Sequence, residues 1–169
     1  MKKFELTNEF ITNMFGTKLF RIRALVEFGD VEAGELGGYV EKESNLGHDD
    51  NAWVYGDARV YDNALVYDNA RVYGDAQVSG DALVYDNALV CGDARVCGNG
   101  DYAYAHGFGS VNRTTTFFRL KDGGVGVRCG CFYGTLAQFR DKIRETHGET
   151  KKAQEYLMLA DLMKLRFEK

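Results

Sequence analysis

The chain has 169 residues, a net charge of −4 and a hydrophobic content of 45%. That length predicts one domain or two small ones, large enough to bury a core without disulfides or metals. No apolar run approaches the roughly 20 residues that a membrane span needs, and Met1-Lys2-Lys3-Phe4-Glu5 carries no apolar leader. The expected compartment is therefore the cytoplasm, with the four cysteines read as free thiols.

Glycine occurs 20 times and proline not at all, so turns must be built from Gly, Asn and Asp, which tolerate positive φ. Charge is unevenly spread. Residues 52–101 hold 3 basic and 8 acidic side chains, whereas residues 102–169 hold 12 and 7. An acidic body with a basic tail implies two architectural parts.

In chain order, residues 3–28 predict a β-hairpin, with Phe4–Leu6 and Phe10-Ile11 on one arm. Asn13–Gly16 forms the turn, and the alternating Lys18–Leu25 stretch forms the second arm. Gly29-Asp30, Gly34 and Gly37-Gly38 then punctuate the chain.

The middle is a repeat. Val recurs at 54, 60, 66, 72, 78, 84, 90 and 96, and Ala at 52, 58, 64, 70, 76, 82, 88 and 94. Gly-Asp or Asp-Asn dipeptides separate these units. A three-residue strand points its central Val inward, a corner follows, and Ala fits where only a methyl group has room. Three such sides close one coil, so that Val72 stacks on Val54. Leu36 and His48 extend the Val register upstream, with Lys42 breaking it; Tyr102 and Phe108 extend it downstream, with His106 on the Ala register. The β-helix is expected over 36–109, as three to four coils, between a cap at 1–35 and a tail at 110–169.

In the tail, Thr115–Leu120 and Val125–Cys131 predict strands around the turn Lys121–Gly124. Thr135-Leu136-Ala137-Gln138 fits a capping box opening a helix. A last helix is expected over about 150–166, with Tyr156, Leu157, Ala160, Met163 and Phe167 as its packing stripe. The tail is thus a ββαα module.

The Val-x-turn-turn-Ala-x pattern over residues 52–99 resembles the hexapeptide-repeat family of left-handed parallel β-helices. The resemblance implies left-handed coils and trimeric association, and in many members acyltransferase activity with a His base. The whole chain also looks like β-helix proteins common in bacteriophages and mobile elements of gut bacteria. That likeness implies a non-catalytic binding protein, antagonising host defence by blocking a protein or sequestering a nucleotide signal. A structural spacer in an assembly is a further alternative.

The candidate sites follow from stacking residues that lie three hexads apart. Leu65 and Tyr67 stack with Leu83 and Tyr85 as an outward apolar face. Such a face marks an interface, unless the protein's own C-terminal helices cover it. Arg59, Gln77 and Arg95 share a second face, and Trp53, Arg71 and Leu89 a third. For an enzyme, His106 and His147 are the candidate bases; His106 reads more simply as a buried capping group. For a phosphate-bearing ligand, the candidates are Arg113, Thr115, Arg119, Arg128, Thr135 and Arg140, with Thr135 at a helix N-terminus. The plainer expectation is that these arginines pair with the acidic body. The Asp residues of the corners are expected to bond their own turns. No metal or cofactor is implied, no nucleic-acid motif is present, and the expected assembly is a homo-oligomer, dimer or trimer.

Overall fold

The computed structural model describes residues 1–168. Alternating residues in the first arm and its partner form an antiparallel hairpin, β1 (Phe4–Thr12) with β2 (Lys18–Ala24). Asn13 closes its turn, its side-chain carbonyl accepting from the amides of Phe15 and Thr17 at 3.0 and 2.9 Å. Strand β3 (Leu36–Val40) pairs antiparallel with β2 and parallel with the first strand of the second face. The hairpin is therefore continuous with one wall of the solenoid.

The repeat yields eight two-residue strands: β4 (Trp53–Val54), β5 (Arg59–Val60), β6 (Leu65–Val66), β7 (Arg71–Val72), β8 (Gln77–Val78), β9 (Leu83–Val84), β10 (Leu89–Val90) and β11 (Arg95–Val96). Every third strand pairs in parallel, as β4-β7-β10, β5-β8-β11 and β6-β9, with Val54 against Val72 and Val72 against Val90. All eight valines and all eight alanines of the repeat are fully buried. The first residue of each of seven successive corners takes a positive φ: Gly56, Asp62, Asp68, Gly74, Gly80, Asp86 and Gly92. The residue types at these corners are those whose backbone reaches that conformation at least cost.

The upstream register differs from the expected one. Val40 lies opposite Val60, and Leu46 opposite Val66, an offset longer by two positions than that from Val54 to Val72. The extra length lies in the segment 47–51, before β4. Val40 and Leu46 therefore point inward, Leu36 is exposed, and His48 leaves the coil to stack on Phe4 at 4.4 Å. Asn45, fully buried, supplies what a missing strand would. Its side-chain amide donates to the carbonyls of Asp62 and Ala64 at 3.2 and 2.8 Å. Trp53 is not on an open face, because Phe4 and Phe28 cover it edge-on at 6.2 and 5.3 Å.

Downstream, the stack ends after β11. Residues 102–108 form β12 (Tyr102–Phe108), which joins an antiparallel sheet rather than a widened coil. The sheet order is β12-β13-β14-β15, with β13 (Arg113–Arg119), β14 (Val125–Cys129) and β15 (Phe132–Thr135). The open end of the solenoid is closed by side chains: Asn99 accepts from the Leu83 amide at 2.8 Å, Asp101 from Cys97 at 3.0 Å and Thr116 from Leu89 at 3.0 Å. An unpaired strand edge would otherwise be left to solvent or to another chain.

Helix α1 (Leu136–His147) starts at the predicted capping box, Thr135 with Gln138, and ends at Gly148. Helix α2 (Lys151–Phe167) is capped by Thr150. Ala153, Tyr156, Ala160, Met163 and Phe167 of α2 pack with Phe139 and Ile143 of α1 on Phe117 and Val127 of the sheet. This second core is separate from the solenoid core. Among the described residues, no helix is long and apolar enough to cross a membrane.

Candidate functional site

Because side chains alternate along each short strand, the residues flanking each inward Val point outward. On the β6-β9 face these are Leu65, Tyr67, Leu83 and Tyr85, in register across the pair. The C-terminal helices pack on their own sheet and leave this face open. Leu83 keeps 37% of its surface exposed, and Leu65, Tyr67 and Tyr85 are half-buried. Tyr67 and Tyr85 stack at 5.3 Å, and Tyr104 of β12 closes the column edge-on at 5.9 Å. Such aromatic geometries hold the rings in fixed orientations.

The tyrosines are also held by their hydroxyls. Tyr104 donates to the Asp86 carboxylate, and Tyr102 to the carbonyl of Leu83. The Asp86 hydrogen bond, then burial, raises the Tyr104 hydroxyl above its ordinary value; burial raises that of Tyr102. Both stay neutral donors across the physiological range. At the lower end of the face, Leu83, Tyr85, Asn99, Tyr102, Tyr104 and Arg166 line a groove of about 520 Å³.

Acidic corners border the apolar strip on both sides. Asp62 and Asp81 lie before the strands, and Asp68 and Asp86 after them. Asp62 and Asp68 each accept from a backbone amide of the next coil, at Gly80 and Asp86, both at 3.2 Å. Their bonds therefore run between coils rather than within one turn. Among the described residues, none of the four carboxylates has a cationic partner. The face is thus an apolar ridge between two uncompensated anionic rails.

The six candidate ligand-binding residues do not gather at one place. Arg113 is exposed beside Gly130, in an open groove with Arg71, Thr114 and the corner residues Asn51, Asn69 and Asn87. Thr115 is fully buried and donates to the Cys129 thiol at 3.2 Å. Arg119 lies 3.7 Å from Asp101 and over the Phe167 ring, tying the tail to the end of the solenoid. Arg128 lies over the Tyr73 ring at 5.7 Å. Thr135 caps α1, and Arg140 pairs with Asp161 of α2 at 2.5 Å. Pairing with the acidic body thus holds for Arg119 alone of these, through Asp101.

The histidines are likewise apart. His106 is exposed on β12, not an inward capping group, and its Nδ1 lies 2.8 Å from the Thr114 hydroxyl. The strand pairing of β12 with β13, which turns residues 102–108 away from the coil, is the reason. His147 ends α1 and stacks on Tyr156 at 6.0 Å. Tyr156 is buried, and desolvation followed by the neighbouring Cys129 pushes its hydroxyl up to about 12.

Asn99, Tyr102, Ala103, Tyr104 and Arg166 border this face, and the repeat pattern did not single them out as a site. Tyr102 carried a signal, since it falls one coil after Val84. Tyr104 and Arg166 carried none, being placed by the sheet and by α2.

Stacked coils, a buried Val/Ala interior and left-handed-backbone corners define the chain as a β-solenoid protein with an added N-terminal hairpin and a C-terminal sheet-and-helix module. The family model of the YdcK beta solenoid repeat matches it at residues 52–67, 58–74, 64–80 and 76–92. Among curated proteins, none matches the chain.

Proposed function

We propose that this β-solenoid is a non-catalytic binding protein whose Leu65/Tyr67/Leu83/Tyr85 face docks a segment of a partner protein. The observation that carries this reading is the open apolar ridge between two rails of carboxylates that, among the described residues, have no cationic partner. Contiguous exposed apolar surface marks interaction sites, and opposite charge around it selects and steers the partner. The fitting segment carries an apolar stripe flanked by lysines or arginines. A protein target is favoured over nucleotide sequestration because the tail arginines are dispersed among separate structural contacts. The likeness to phage β-helix proteins supports a partner among host defence components.

The test is photo-crosslinking in bacterial cells with benzoylphenylalanine replacing Leu83. A single adduct with a host defence protein is expected, lost on Leu65→Glu and weakened by Asp68→Asn with Asp86→Asn. Leu65 is half-buried, Asp68 holds the Asp86 amide and Asp86 accepts from Tyr104, so each substitution should cost about 1–2 kcal/mol and leave the chain folded, which circular dichroism of each variant checks. An adduct with an unrelated host protein, equally sensitive to these variants, overturns the defence setting and keeps the binding role. No adduct, or one indifferent to the variants, overturns the binding role at this face.

A further inference from the structure

Helix α2 is apolar on two sides. One stripe, Ala153, Tyr156, Ala160, Met163 and Phe167, is buried against the sheet and α1. A second, Met158, Leu162 and Leu165, faces outward with 71%, 54% and 69% of its surface exposed. These three residues recur at i, i+4 and i+7, the spacing of a single helical face. A helix at the surface of a monomer turns charge to solvent on that side. We infer that this stripe is the contact surface of a homodimer, occupied by α2 of a second copy of the chain.

The second copy is the occupant that the surface itself fits. Leu162 lies near the middle of the stripe, four residues after Met158 and three before Leu165. Two antiparallel α2 helices therefore set Leu162 against its twin and Met158 against Leu165 of the second copy. A two-fold contact of this kind uses the same patch on both chains.

The charges agree with the antiparallel pairing. Glu155 and Arg166 are three helical turns apart and fall on the same edge of the stripe. Antiparallel packing brings Glu155 of each copy to Arg166 of the other. Neither residue is in an ion pair among the described residues, and Arg166 makes a hydrogen bond to the Asn99 carbonyl at 3.2 Å. Parallel packing would instead leave Glu155 of one copy and Arg166 of the other three turns apart. A contact along one 17-residue helix is about 25 Å long and smaller than a standard permanent interface. The dimer is accordingly reversible.

Arg166 also lines the groove at the end of the β6-β9 face, so this pairing sets the two faces beside the dimer contact, and a partner with two segments would be held by both. The test is sedimentation equilibrium of the full chain over about a thousandfold range of protomer concentration. The expected mass rises from that of one chain, 18.9 kDa, to that of two. Leu162→Glu should raise the dissociation constant at least about tenfold. Glu155→Arg and Arg166→Glu should each weaken the dimer, and the double variant should restore it, which loss of folding would not reproduce. Three outcomes overturn the inference: one-chain mass throughout, a mass of three chains, or a dimer indifferent to Leu162→Glu. Leu162 lies outside the groove that holds Leu83, so crosslinking from position 83 in the Leu162→Glu variant separates the two proposals.

Discussion

Each solenoid corner bends through one residue in left-handed backbone, and what surrounds that residue differs from coil to coil. Gly56 has a φ of 57° with open space around its α-carbon, whereas Gly80, at 61°, lies against the Cys97 carbonyl of the next coil. The two sites separate backbone strain from steric collision. Gly56→Ala should cost about 1–2 kcal/mol, the left-handed penalty alone. Gly80→Ala adds a collision with a backbone oxygen that has no rotamer to escape through, so its cost should exceed about 3 kcal/mol. Urea midpoints of the two variants measure the difference. Equal losses would show that the Cys97 strand moves freely, against its hydrogen-bonded place at the end of the stack. The choice of Asp at 62, 68 and 86 has its own reason at two corners. The carboxylates of Asp62 and Asp68 hold amides of the coil below, a bond that glycine cannot make.

At the scale of elements, coils repeat and ends do not. The Val and Ala positions made β4 to β11 legible residue by residue, because each inward site admits one size of side chain. The segment 47–51 was not legible in the same way. It departs from the period, and nothing local states that Val40 and Leu46 resume it two positions earlier. The same is true of Tyr102–Phe108, whose apolar residues suit a coil or a strand until the pairing with β13 decides.

The N-terminal element is locked by Lys3, which is buried and donates to the carbonyls of Asp50 and Ala52 at 2.8 and 2.9 Å beneath the Phe28 ring. Burial lowers its pKa to about 8, against the favourable charges of Asp50 and Asp49. The unfolded chain, with an ordinary lysine near 10.4, binds the proton more tightly than the folded one. Stability from this group therefore rises with pH between about 8 and 10, by up to about 1.4 kcal/mol per pH unit. The neutral amine still has two N–H groups for its two carbonyls. Urea unfolding of the parent and of Lys3→Met over this range should show the parent gaining on the variant as pH rises. A constant difference would place the ammonium in contact with solvent.

The molecule as a whole joins two cores of different logic. The solenoid core is a column of small identical layers, while the tail core is an aromatic cluster of Phe117, Phe139, Tyr156 and Phe167. The apolar face was legible because the fixed coil period decides which outward side chains are neighbours. The arginines were not. Their partners, Asp101 for Arg119 and Asp161 for Arg140, lie on elements whose packing no periodicity encodes. Positive charge in the tail was therefore real, but its convergence on one ligand was not.

The uniform layers also make the molecule a ruler. Every coil presents the same backbone edge above and below, and Arg71, which meets Asp30 on one side and shares a groove with Arg113 on the other, would recur in an added layer so that each end keeps its own copy. An extra copy of residues 70–87, inserted after Asn87, should slide into the stack as one more layer. Its melting temperature should not fall below that of the parent. Spin labels on the hairpin and on α1 should move apart by about 4.8 Å, one interstrand step. A change of any other size would mean that the ends are matched to this particular number of layers.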